Sequence, residues 1–189
     1  MAGEKTLLVA AQGRDKLRQW VAEVQAGEIV TVNGAAEARR LHTSDAFALI
    51  LINAPLPDET GLELAVDLAR RTMAAVVLLV KTELAPMIMD AATEAGVLLV
   101  TKPVLPQLFE QTIRVGVACR NRMLLYKSEN ERLQKKYEEL KIVDRAKCLL
   151  IEHLRITEDE AHHVLEKEAM NARISRVRVA KKVLERFEL

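Results

Sequence analysis

Residues 49–64 read LILINAPLPDETGLEL. A continuously apolar run ends on one uncharged amide, Asn53, before a proline-rich acidic turn and a new helical pattern. A short Leu/Ile run without alternation suits a strand buried on both faces of a sheet. In open α/β sheets chemistry collects just beyond the carboxyl ends of such strands. The residue at that end, and whatever surrounds it, therefore bears directly on function.

Four further runs share this character. TLLVAA (6–11), EIVTV (28–32), AAVVLLV (74–80) and VLLVT (97–101) join FALILI (47–52), and Asn33-Gly34 closes the second as a turn signal. Between them lie helical patterns. DKLRQWVAEVQ places Leu17, Trp20, Val21 and Val24 at helical spacing; AAEARRLH and GLELAVDLARR follow; residues 84–95 put Met87, Ile88 and Ala91 on one face before Gly96. Strands alternating with helices of about 10 residues predict an α/β fold, a five-stranded parallel sheet wound on both faces.

The pattern changes after Lys102-Pro103. From Gln107 to about His153 no proline interrupts, and Gly116 is the only glycine. Cys119, Met123, Tyr126, Asn130, Leu133, Tyr137 and Leu140 follow alternating steps of 4 and 3, a heptad repeat. With Asn130 at an a position and Leu133 and Leu140 at d, the spacing predicts a parallel dimeric coiled coil, which a single a-position Asn keeps in register. The alternative is one amphipathic helix packing on its own domain. Two shorter helices close the chain. Thr157-Glu158-Asp159-Glu160 has the form of a capping box, and Ser175 stands where it can cap the last helix, with Val179, Val183 and Leu184 on its apolar side.

Composition narrows the function classes. The chain has 189 residues, half of them apolar but only 3% aromatic, so its core must be built from aliphatic side chains. The N-terminus lacks a signal-peptide pattern, and no apolar stretch reaches the roughly 18 residues of a membrane helix. Two cysteines, Cys119 and Cys148, with no CxxC pair fit a reduced, cytoplasmic protein. Net charge is +1, but residues 1–119 hold 11 Lys/Arg against 14 Asp/Glu, and residues 120–189 hold 17 against 13. Between Asn171 and Lys182 stand Arg173, Arg176, Arg178, Lys181 and Lys182 with no acidic residue, so a polyanionic partner belongs at that end. His162 and His163 are adjacent and point to different sides of a helix, poor geometry for zinc. No GxGxxG, P-loop or nucleophile elbow is present, and no catalytic site, cofactor or metal is expected.

Two resemblances follow from these residues. Over roughly residues 5–120, LILINAPLPDETGLEL and VLLVTKP resemble the third and fifth strands, with their loops, of a response-regulator receiver domain, a flavodoxin-like sheet. The resemblance implies a phospho-accepting Asp after the third strand, a magnesium-binding acidic pair after the first, a hydroxyl residue after the fourth and the Lys of a Lys-Pro pair, whose peptide is expected to be cis. Here Asn53 takes the acceptor position, Ala10 and Ala11 the acidic pair, and Lys81 the place of the hydroxyl residue, with Thr82 next to it; only Lys102-Pro103 stands as expected. An amide is too weak a nucleophile to form an acyl phosphate, and two methyl groups cannot hold a hard cation. The site reads as a phosphorylation site given up, with Asn53 a polar cap and Lys102 and Lys81 donating to it or to backbone carbonyls.

IVDRAKCLLIEHLRITEDEAHHVLEKEAMNARISRVRVAKKVLE (142–185) resembles an ANTAR domain, the three-helix RNA-binding module of transcription antiterminators. Ala146-Lys147, Leu149-Leu150, Ile156, Glu158, Glu160-Ala161, Leu165, Ala169-Met170, Arg173 and Ala180 carry the resemblance; Cys148 stands where the pattern has Gly, and Leu150 where Met is more common. The expected organisation is a receiver-like domain at 1–120, a coiled-coil linker at 121–141 and an ANTAR domain at 142–189. The expected function is that of a dimeric, non-enzymatic regulator binding hairpins in nascent RNA through Lys147, Lys167, Arg173, Arg176, Arg178 and Lys181. Its receiver-like domain would not be governed by phosphorylation, and a ligand-sensing regulatory protein is a possible controller. The competing reading is a protein–protein adaptor or DNA-binding regulator using the coiled coil and the basic last helix.

Overall fold

The computed structural model describes residues 5–41 and 47–187. His42, the end of the predicted second helix, lies outside the described residues. The chain divides into two compact units, residues 1–125 and 126–189.

In the first unit strands and helices alternate as β1 (Lys5–Val9), α1 (Arg14–Val24), β2 (Ile29–Val32), α2 (Ala35–Leu41), β3 (Phe47–Asn53), α3 (Leu62–Arg71), β4 (Ala75–Lys81), α4 (Ala85–Glu94) and β5 (Leu98–Lys102). The helix α5 (Pro106–Leu154) begins in this unit. All neighbouring strands are parallel, in the order β2-β1-β3-β4-β5. The continuous apolar runs are explained by two cores, one on each face. Leu7, Val9, Ile50, Ile52 and Leu78 pack with Ala38, Leu64 and Leu68 on the α2–α4 side. Leu8, Leu49, Leu51, Val77 and Leu79 pack with Leu17, Val21, Phe109 and Ile113 of α1 and α5 on the other. Because successive strand residues point to opposite faces, β3 is buried from Phe47 to Ile52. Each fully buried Leu or Ile contributes about 1.5–3 kcal/mol.

The helix at 84–95 differs from expectation. Ala85 and Ala92 are its buried residues and Ile88 packs only partly, while Met87 is 80% exposed and Ala91 also faces solvent. A helix of this length seated through alanines lies close to the sheet, and its one-residue offset in phase turns Met87 outward.

The acidic turn Pro57–Gly61 holds helices in place. The Asp58 carboxylate accepts from the backbone N–H groups of Ala35 and Ala36, both at 3.0 Å, capping α2 from a distant loop. These two bonds hold its pKa below the usual carboxylate range. The approach needs Gly34, since a Cβ there would stand 2.8 Å from Asp58 Oδ1. Glu59 accepts from Leu64 N at 2.9 Å in the first turn of α3 and pairs with Arg39 at 2.7 Å. Gly116 has a similar reason on α5: a Cβ would meet Leu98 Cδ1 at 2.8 Å and Ala75 Cβ at 3.1 Å, so glycine lets the helix lie against β4 and β5.

In the second unit the end of α5 is followed by α6 (Glu158–Ala172) and α7 (Arg176–Phe187). Ala146, Leu150, Ala161, Leu165, Ala169, Val179 and Ala180 form its core. Four of these are alanines, whose small side chains let the three helices approach closely. The capping box is complete: Glu160 N donates to Thr157 Oγ1 at 3.3 Å and Thr157 N to Glu160 Oε2 at 2.8 Å. Ser175 Oγ accepts from Arg178 N at 3.3 Å at the start of α7. Cys148, which stands where the ANTAR pattern has Gly, is exposed. Cys119, the first residue of the heptad, is exposed as well.

Candidate nucleic-acid interface and the strand-end pocket

The carboxyl ends of the strands bring Asn53, Ala10, Ala11 and Lys102 to one place. Asn53 is half-buried, aligned with Leu79 of β4, and its Nδ2 donates to the Gln12 carbonyl at 2.8 Å. Ala10 is fully buried after β1 and Ala11 is exposed. Lys102 pairs in register with Lys81, and its Nζ donates to the Ala54 carbonyl. Burial pushes the Lys102 pKa down, and the Lys81 charge beside it adds to the effect. Lys81 itself is exposed and makes none of the hydrogen bonds expected of it. Thr82 Oγ1 donates to the Lys102 carbonyl at 2.8 Å. The Lys102-Pro103 peptide is cis, as expected, and so is Ala54-Pro55, which the sequence reading did not anticipate. The two cavities at this end contain no Asp or Glu in their walls.

The basic residues of the second unit fall into two groups. Lys147 is not free: its Nζ lies 2.9 Å from Asp144 and 2.9 Å from Glu158, with its side chain 16% exposed. The Glu158 bond and then the Asp144 bond raise its pKa, so it stays charged and neutralised while tying α5 to the start of α6. Arg176 pairs with Glu166 of α6 at 3.1 Å, and His162 Nε2 stands 3.2 Å from the same carboxylate. The expectation that nothing inside the protein balances the charge of the last helix is corrected at this residue. Lys167, Arg173, Arg178 and Lys181 are exposed and have no acidic partner among the described residues.

Arg173 is held in an unusual backbone position. It ends α6 in the left-handed conformation, φ 52°, with its own N–H and that of Ile174 returning to the last turn. This is the helix stop usually made by glycine, and it leaves the Arg173 side chain exposed.

Along α5 the heptad side chains face solvent. Met123, Tyr126, Leu133, Tyr137 and Leu140 are each more than half exposed, and Asn130 is exposed among them. Among the described residues these side chains form an exposed apolar stripe. Among the described residues no group of three His, Cys, Asp or Glu side chains converges as a metal site, and no helix is long and apolar enough to cross a membrane.

The comparisons agree with this division. Residues 131–184 match the family model of the ANTAR domain. The chain is 25% identical to the transcriptional regulatory protein PdtaR of Mycobacterium tuberculosis over 98% of its own length and 88% of the relative's. The signal receiver domain of an HD domain-containing protein from Pseudomonas fluorescens Pf-5 superposes with a TM-score of 0.58 at 21% identity, covering 70% of this chain and 95% of that one. A response regulator receiver domain protein from Clostridium thermocellum gives 0.55 at 18% identity, covering 64% and 98%. At such identities these two structures show the fold alone.

Proposed function

From an ANTAR domain at residues 131–184 of a chain that also has a receiver-like fold, we propose that this protein is an RNA-binding transcription antitermination regulator. In this reading it acts in the cytoplasm as a homodimer on hairpins of nascent transcripts, under control other than phosphorylation of an Asp. The observation that carries it is the coincidence of the ANTAR match with a compact three-helix unit whose exposed cations, Lys167, Arg173, Arg178 and Lys181, have no acidic partner among the described residues. Sequence-specific RNA recognition relies on exposed loop bases and phosphates rather than on the deep groove of a duplex. A rim of unpaired cations around a small helical core suits loop-edge and phosphate contact.

The dimer supplies two such modules on one coiled coil. The stripe from Met123 to Leu140 is the interface, with Asn130 opposite its counterpart. Two linked modules on two neighbouring hairpins gain avidity without any new contact. Loss of the acceptor Asp and of both magnesium-binding acids means that Asn53, Ala10 and Ala11 cannot carry a phosphoryl switch. A ligand-sensing protein that sequesters the regulator is compatible with this reading.

The test is sequencing of RNA that co-purifies from the native host, followed by binding of the enriched hairpins against duplex DNA of random sequence at one salt concentration. Enrichment of paired hairpins and preference for them over DNA is the expected result. Equal affinity for the two, or no enriched RNA, overturns the reading in favour of a DNA-binding or adaptor role.

A further inference from the structure

The strand-end pocket lost its acids but kept its cations. Gln12, Lys16, Trp20, Asn53 and Lys102 line an open depression of about 430 Å³ at the protein surface. One end is polar, with amide groups and the Lys102 ammonium. The lining also includes the apolar side chains of Leu17, Pro103 and Val104 and the indole of Trp20. Trp20 is steadied from behind by Phe109, ring centroids 5.6 Å apart, and Lys16 Nζ lies 4.7 Å from the centre of the indole. Lys102 gives one N–H to the Ala54 carbonyl and has two more to offer, with no carboxylate to meet them.

A half-buried ammonium with a second lysine in register beside it is an unfavourable arrangement when nothing neutralises it. In a receiver the acceptor carboxylate and the acidic pair would do so. Here Asn53 and Ala10–Ala11 carry no charge, which leaves the Lys102 ammonium open to an anion from outside.

We propose that this cavity binds a small aromatic anion non-covalently, its carboxylate or phosphate on Lys102 and Lys16 and its ring against Trp20. Neutralisation of Lys102 makes the bound form more stable than the empty one, so the receiver-like domain senses a soluble ligand in the place where its relatives of the same fold would hold a phosphoryl group. No bond is made or broken. The inference stands apart from RNA binding, since all its residues lie in the first unit.

Trp20 is the only tryptophan in the chain, so its fluorescence reports on this cavity alone. The full chain is titrated with benzoate, phenyl phosphate, inorganic phosphate and neutral benzyl alcohol at constant ionic strength. Benzoate or phenyl phosphate should give a saturable change with half-saturation on the order of 1 mM, the range open to a ligand of so few atoms. Lys102→Met should weaken it at least roughly tenfold while leaving the melting temperature nearly unchanged, because the loss of the bond to the Ala54 carbonyl is offset by removal of a half-buried charge that no carboxylate balances. Lys16→Gln, on an exposed residue, should weaken it several-fold and serves as the second variant if Lys102→Met folds poorly. Flat titrations, an equal response to benzyl alcohol, an equal response to inorganic phosphate, or binding unaltered in the variants would each overturn the proposal.

Discussion

The sorting of basic residues into paired and unpaired groups makes a quantitative forecast for RNA binding. Each phosphate neutralised by a protein cation adds about 0.7–0.9 to the slope of log affinity against log salt. Arg178 and Lys181 are exposed on α7 with no internal acid, whereas Lys147 is already neutralised by Asp144 and Glu158 at 2.9 Å each. The double variant Arg178→Gln/Lys181→Gln should therefore flatten the slope by roughly 1.5. Between about 50 and 200 mM salt that amounts to a roughly eightfold smaller loss of affinity. Lys147→Gln should leave the slope where it is. Its cost falls on stability instead. The Lys147 stem is mostly covered while both carboxylates are exposed, which limits the loss to about 1 kcal/mol, or several degrees of melting temperature. The assay is filter binding of a hairpin RNA at four salt concentrations, with thermal melts alongside. If Lys147→Gln flattens the slope as much as the double variant while melting like the wild type, the assignment of Lys147 as an internal clamp is wrong.

Three further outcomes are expected. Incubation with acetyl phosphate and Mg²⁺ should leave the intact mass unchanged, and Asn53→Asp alone should not restore phosphorylation, because Ala10 and Ala11 supply no metal ligand; a one-phosphate mass shift mapped to the first unit would refute this. Asp58→Ala should destabilise the protein by about 1 kcal/mol, at the low end for a lost helix cap because the carboxylate is exposed. Since the folded pKa of Asp58 is depressed, its contribution is present above the unfolded value near 4 and fades as pH falls through the folded one; melts of the variant and wild type should converge in acid, and a constant gap down to low pH would contradict the capping role. Asn130→Leu should raise thermal stability while broadening the oligomeric state seen by light scattering; a wild-type monomer at micromolar concentration would remove the coiled coil altogether.

The fold was legible because each buried strand announces itself as an unbroken apolar run. TLLVAA and FALILI have no polar alternation, which only a sheet covered on both faces allows, and the structure shows Leu7 and Leu8 in opposite cores. The phase of α4 was not legible. Ala85, Ile88, Ala92 and Met87, Ile88, Ala91 are both sound helical stripes, and periodicity cannot choose between a small-residue face seated close to the sheet and a larger one. The tight packing resolves it in favour of alanine, leaving Met87 in solvent. The capping box was readable because both partners sit within four residues of each other. The cap on α2 was not, since Asp58 reaches Ala35 across 23 positions of sequence.

The same distinction governs the candidate sites. That Ala10, Ala11 and Asn53, and no acid, stand at the strand ends could be read from the chain, because a strand end has a fixed place in an open sheet. What replaces them depends on tertiary neighbours: Lys16 and Trp20 were visible only as a helical pattern, and only the fold sets them beside Lys102. Lys147 is the instructive residue in the second unit. Its i, i+3 partner Asp144 was available to sequence reasoning, but Glu158 comes within 2.9 Å only because Arg155 turns the chain at φ 53° and Thr157 starts α6 alongside. A lysine in a resembling motif thus proves to be occupied by its own fold. In the proposed function the cations left to meet an outside polyanion are Lys167, Arg173, Arg178 and Lys181, which pair with no acid among the described residues even though Glu185 stands four positions after Lys181.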